Sequence, residues 1–270
     1  MTSKTRTFLA LLGVILLVLT VAGCTKLRAR DALNKGVAAY RSAQYPQAVE
    51  FFKESVELDP TFPTARLYLA TAYMSQYIPG AESPENAQMA KAAHEQFLKV
   101  LEQDPGNTVA LASIAMLFFN QKKLLEAKEW YQKLIAVDAK AKEAYYTLGV
   151  IAWTQTFQVR MEARAKLGMK PEDPGPLKDK KVRLAVREKN LAVIEDGLKS
   201  LAKALEIDPR YDDAMAYTNL LFRERADLAE TADEYKADWD TADAWVQKTL
   251  DAKKAKSAET EKKAGGGGGH

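Results

Sequence analysis

Apolar residues recur along this chain at helical spacing and are interrupted by short clusters of Pro, Gly, Asn and Asp. Leu33, Val37 and Tyr40 fall on one face of a helix, as do Trp153, Phe157 and Met161 at i, i+4 and i+8. Tyr235, Trp239, Ala242 and Val246 form another such stripe near the C-terminus. Helix formers dominate the runs between these clusters, so the pattern predicts helices; with the repeat described below, the fold expected is all-α. One stretch differs in kind: Phe8 to Ala22 is apolar throughout except for Thr20.

A longer period runs beneath the helical one. Ala48 follows Gly36 by 12 residues and Pro60 follows Ala48 by 12, with Ala70 10 further on. The same steps lead from Pro105 through Ala115 and Ala127 to Ala139 and Gly149, and Gly197 precedes Pro209 by 12. The period is 34 residues, and units close with Glu57-Leu58-Asp59-Pro60, Glu102-Gln103-Asp104-Pro105 and Glu206-Ile207-Asp208-Pro209. Each position has a physical reason. Small residues at 36, 70, 115 and 149 let the first helix of a unit (helix A) approach the second (helix B), and Ala48, Ala93, Ala127 and Gly197 do the same from helix B. Phe52, Phe97, Tyr131 and Leu201 fill the space between stacked pairs, and the proline ends helix B.

This period and pattern are similar to those of the tetratricopeptide repeat. The resemblance covers residues 31–229 and implies a right-handed superhelix of about five helix-turn-helix repeats. Two insertions, near 74–89 and 154–190, fall in the turn between helix A and helix B. The first reads as a loop, Tyr77 to Pro84, with Ser83 as N-cap and Pro84 at the first helical position. The second reads as an extended helical hairpin with a proline-rich tip from Gly168 to Leu177. Ala139 replaces the closing proline of the third unit, which predicts a more continuous junction there. Beyond the repeats, residues 230–252 are expected to form a capping helix, opened by a Thr231–Glu234 capping box. Residues 253–270, rich in Lys and Gly, are expected to be a disordered tail.

The N-terminal 23 residues have the parts of an export signal: basic Lys4 and Arg6, then an apolar run of about fifteen residues, too short to suit a membrane-spanning helix. Val21-Ala22-Gly23-Cys24 resembles a bacterial lipobox. That resemblance implies acylation of the Cys24 sulfur, cleavage before Cys24, and a short tether over residues 24–30. Two or more acyl chains hold a protein on a membrane where one is marginal. Thr25, where an inner-membrane lipoprotein of some Gram-negative bacteria carries Asp, favours the outer membrane facing the periplasm. The alternative is a signal anchor with an incidental cysteine.

Composition narrows the chemistry. The net charge of +3 over 270 residues carries no nucleic-acid footprint. A single cysteine and two histidines, His94 and His270, provide neither a disulfide nor a metal site, and no phosphate loop or nucleophile elbow appears. No catalytic residue, cofactor or small-molecule substrate is indicated. His94 and the tryptophans Trp153, Trp239 and Trp245 read as packing residues. Residues 160–189 hold ten Lys or Arg against five Asp or Glu, either a solvated hairpin or a patch for anionic lipid or an acidic partner.

The resemblance also implies a ligand-binding inner face on the A helices. It would be formed by Leu33, Val37 and Tyr40, then Leu67, Thr71 and Met74, then Ala112, Met116 and Phe119, and finally Tyr146, Val150 and Trp153. The Lys and Asn with which some relatives hold a peptide carboxylate are missing from it. What remains is an apolar groove with Met and aromatic character, suited to an amphipathic or extended partner segment. The C-terminal helix is the other candidate occupant, expected near Tyr146, Val150 and Leu220. The function these features point to is a membrane-anchored interaction scaffold for a protein partner, in envelope or secretion-complex assembly. An enzyme or enzyme activator of peptidoglycan metabolism is the alternative.

Overall fold

The computed structural model describes residues 24–265, and among them all regular structure is helical. The helices are α1 (residues 24–41), α2 (Tyr45–Leu58), α3 (Pro63–Gln76), α4 (Pro84–Gln103) and α5 (Thr108–Asn120). There follow α6 (Leu124–Val137), α7 (Lys142–Lys166), α8 (Lys180–Ile207), α9 (Asp212–Ala226) and α10 (Ala232–Gly265). The described residues divide into two compact units, the boundary falling between Trp130 and Tyr131, each described by itself.

In the first unit the positions picked out by the 34-residue period are close-approach points. Ala48, Ala70, Ala93, Ala115 and Ala127 are fully buried. A Cβ on Gly36 would stand 2.4 Å from the Phe52 ring, so only glycine admits that ring. Ser55 ties α2 to α1 by donating to the Ala29 carbonyl at 2.6 Å. Ala43 and Lys122, each seven residues past the small residue of its helix A, hold the left-handed conformation with φ of 58° and 62°. That is the conformation that ends a helix tightly and releases the chain into the next. Ser83 caps α4 through the Asn86 N–H, with Pro84 at the helix start.

In the second unit α7 and α8 form the long hairpin of the second insertion, and its tip folds back rather than projecting. Met169 and Leu177 are buried, and the Leu177 N–H donates to the Asp227 carbonyl at 3.0 Å. The junction at Ala139 is not continuous, contrary to the sequence expectation. Residues 138–141 are a turn in which the Asp138 carboxylate accepts the Lys140 N–H at 2.9 Å. Asp59 and Asp208 accept from Thr61 and Arg210 in the same way. The aspartate of the closing motif therefore makes the turn and the proline is dispensable.

The C-terminal helix also departs from expectation. It does not end near residue 252, and the stretch 253–265, read as disordered tail, continues α10. The reason lies in pairs with the preceding repeat. Lys256 contacts Asp212, and Arg210 meets Glu259 at 2.8 Å. Nearer the turn, Arg225 meets Asp238 at 2.6 Å and Arg223 meets Asp243 at 2.7 Å. These pairs run antiparallel along α9, so α10 is the second helix of a fifth hairpin. At its start the Glu234 N–H donates to Thr231 Oγ1 while the Glu234 carboxylate takes the Glu230 N–H.

Candidate functional site

The A helices of the first unit are α1, α3 and α5, and each presents its expected residues at i, i+3 or i+4 spacing. Val37, Tyr40, Leu67, Thr71, Met74, Ala112 and Phe119 are half-buried, and Met116 keeps 44% of its surface. Leu33 is buried in the core and offers little to a partner. The polar atoms among them are already used. The Tyr40 and Ser75 hydroxyls meet at 2.8 Å, Thr71 donates to the Leu67 carbonyl, and Ser75 lies 3.0 Å from the Thr71 carbonyl. What this face offers is thioether, methyl and ring surface, which adapts to apolar segments.

In the second unit the strip is largely occupied by its own neighbours. Val150 is buried. Tyr146 packs against the rings of Tyr211 (5.1 Å) and Tyr217 (5.6 Å), and Trp153 against Phe157 (4.8 Å) and Tyr217 (5.6 Å). Burial raises the Tyr146 phenol well above its ordinary range, with Tyr217 and Asp213 adding to it, and raises Tyr211 to about 12. Both therefore stay neutral. The expected cover for Tyr146 was the C-terminal helix. The rings over it come instead from Tyr211 and α9, while α10 reaches the strip through Trp239, which shares a pocket with Trp153 and Leu220.

The sequence reading missed two features. The first is a cleft of about 1160 Å³ in the first unit, between the Tyr77–Ser83 loop, α4 and the end of α5. Asn86 holds that loop in place: its side chain accepts the Ile78 N–H at 2.7 Å and donates to the Ile78 and Ala81 carbonyls. His94 lines the cleft with its ring 5.1 Å from that of Phe118. Burial lowers its pKa, Lys123 acting in the same direction against Glu95, so the imidazole is neutral at pH 7.

The second is a buried ionic cluster in the other unit. Arg164 Nη1 donates to both oxygens of Asp227, at 2.9 and 2.8 Å, and Arg160 Nη1 donates to the same carboxylate at 2.9 Å. Glu224, 1% exposed, stands 2.9 Å from Arg160 Nε. The basic hairpin is therefore not simply solvated. Arg183 and Arg187 also turn inward, to the carbonyls of Leu177 and Leu228. The only hint in sequence was i, i+4 and i, i+3 spacing on two segments some 60 residues apart.

Cys24 is exposed at the start of the described chain. Residues 1–23, expected from sequence to be an export signal and including Val21, Ala22 and Gly23, lie outside the described residues, as do residues 266–270. Among the described residues no helix is long and apolar enough to cross a membrane, and no group of three or more His, Cys, Asp or Glu could hold a metal.

Comparison with known proteins agrees with this architecture. Residues 109–140 match the Tetratricopeptide repeat family. Sperm-associated antigen 1 of Mus musculus is 32% identical over 118 residues, 44% of this chain, and its Rattus norvegicus counterpart is 31% identical over the same length. The matched region spans only 12% of those relatives. Among solved structures, MamA residues 41-end from Desulfovibrio magneticus RS-1 superposes with a TM-score of 0.56 at 16% identity, covering 84% of this chain and 96% of that one. YrrB, described as a tetratricopeptide-repeat protein with an unusual peptide-binding site, gives 0.51 at 15% identity, covering 83% and 90%. The fold is that of the tetratricopeptide repeat.

Proposed function

We propose that this chain is a noncatalytic interaction scaffold of the bacterial cell envelope, tethered by acyl chains on Cys24 and holding a partner segment on the α1–α3–α5 face. The observation that carries the reading is the state of that face. Met116 and Met74 offer adaptable apolar surface while the neighbouring hydroxyls are satisfied internally. Such a surface gains from covering apolar groups and has few unspent polar groups with which to bind a small polar substrate. YrrB, which shares the fold, is described by its peptide-binding site, and a peptide or helix is the class of ligand this face fits.

The lipobox-like residues before Cys24 support the tether reading, and Cys24 is exposed at the start of α1. The outer membrane, facing the periplasm, is the proposed location, and assembly of envelope or secretion complexes is the proposed role. Two variants test the two halves. Cys24→Ala should abolish incorporation of labelled palmitate, and normal labelling would remove the tether from the account. Met74→Glu with Met116→Glu should release the partner captured by the wild-type chain while the chain stays folded by circular dichroism. Undiminished capture would remove the face.

A further inference from the structure

We propose that the exposed face of α1 at its N-terminal end, formed by Leu27 with Lys26, Arg28 and Arg30, lies on an anionic phospholipid surface. The inference rests on the membrane attachment proposed above and names the part of the folded chain that meets the bilayer.

The first turns of α1 have two unlike sides. Ala29 and Ala32 are 0% and 2% exposed, and the Ala29 carbonyl takes the Ser55 hydroxyl of α2. That side is therefore fixed to the body of the first unit. On the other side Leu27 keeps 69% of its surface, and among the described residues no large apolar side chain is more exposed. A lone exposed leucine is ordinary on a protein surface, but this one stands among cations. Lys26, Arg28 and Arg30 are exposed, and among the described residues none of them forms an ion pair. Asp31, the only carboxylate within residues 24–41, is taken by Lys35 at 2.7 Å. An apolar side chain flanked by uncompensated basic ones is the composition of an interfacial helix face, with the apolar group inserted and the cations at the headgroups.

Position decides the occupant. Cys24 is already helical, so Leu27, three residues on, shares its side of the helix. Arg30 lies about 9 Å further along the axis than Cys24, at a rise of about 1.5 Å per residue. Acyl chains on Cys24 would hold this turn at the headgroups. The apolar run Phe8 to Ala22 would do the same if it stayed in the chain as a signal anchor. Either way the three cations come within about 10 Å of the bilayer surface, the distance over which its charge is felt. Anionic headgroups attract basic residues at that range. An acidic protein segment could match the charges, but it would have to enter between the bilayer and a turn that the anchor holds there.

The test uses the full chain as cells produce it, with a photo-crosslinking residue in place of Leu27. The chain is reconstituted into vesicles of phosphatidylcholine alone or mixed with phosphatidylglycerol. Flotation with the vesicles reads the attachment, and crosslinking reads the contact. Lipid adducts should form from position 27 in the mixed vesicles, at least about threefold more than in phosphatidylcholine alone. The excess should vanish in about 1 M salt, where the Debye length is about 3 Å. Lys26→Gln with Arg28→Gln and Arg30→Gln should also remove it. All three side chains are exposed, so the fold should be kept, which circular dichroism checks. Equal yields from the two kinds of vesicle, or an undiminished excess in the triple variant, would overturn the proposal. So would adducts in cells with a protein and not with lipid. A chain that floats yet gives no lipid adduct from position 27 keeps the attachment and loses this contact, whereas a chain that does not float loses both.

Discussion

Gly149 and Leu201 touch so closely that a Cβ on the glycine would stand 2.4 Å from Leu201 Cγ, well inside contact distance. The long hairpin of α7 and α8 is closed at this point, and Gly197 meets Ala152 as tightly from the other helix. Gly149→Ala gains about 1 kcal/mol of helix propensity and loses about 1–3 kcal/mol to overpacking. The clash involves the branch point of the leucine rather than a flexible tip, so overpacking wins. Thermal unfolding should show a lowered midpoint for Gly149→Ala, and a raised one would mean that the two helices can separate at no cost.

These close approaches were legible in the sequence because a steric rule dictates them: two helices can meet tightly only where side chains are small. The 34-residue period therefore located Gly36, Ala70, Ala93, Ala127, Gly149 and Gly197. What it could not reveal depends on partners distant in sequence. Residues 253–265 are rich in the helix formers Ala, Lys and Glu but carry no apolar stripe, and the partners that hold the helix, Asp212 to Lys256 and Arg210 to Glu259, lie over 40 residues away. Arg160 and Arg164 read as a solvated basic patch because Glu224 and Asp227 lie more than 60 residues away. Ala139 misled for a different reason, since the turn belongs to Asp138 and not to the residue after it. The candidate site was legible in the same measure. Met74 and Met116 sit half-open on their face, whereas Leu33 and Val150, one helical turn away from open positions, are core.

Arg164 is 2% exposed and bonded to Asp227 and two carbonyls. Arg164→Met should cost about 3–5 kcal/mol, the range for breaking a buried pair and leaving one charge behind. Urea unfolding measures it. A loss below about 1 kcal/mol would show that Arg160 alone satisfies Asp227.

Stability should fall as pH rises, through Glu224. Its folded-state pKa of about 7 exceeds the ordinary 4.5, so between those values the folded chain binds a proton that the unfolded chain has lost. The contribution is complete below about pH 4.5, declines across the interval and is gone above pH 7, a change of roughly 3 kcal/mol. Urea unfolding at pH 5 and pH 8 should show this difference in the wild-type chain and a smaller one in Glu224→Gln. Equal differences would mean that the carboxylate titrates as it does in water.

Partner capture on the α1–α3–α5 face is tested most directly by a photo-crosslinking residue at Met116 or at Leu125, in cells producing the full chain. Leu125, at the start of α6, is 67% exposed against 44% for Met116, so nonspecific adhesion to apolar surface would favour Leu125. A discrete crosslinked partner should form from Met116, be lost when Met74→Glu is added, and be absent from Leu125. The same partner from Leu125 in equal yield, or none from Met116, would contradict it.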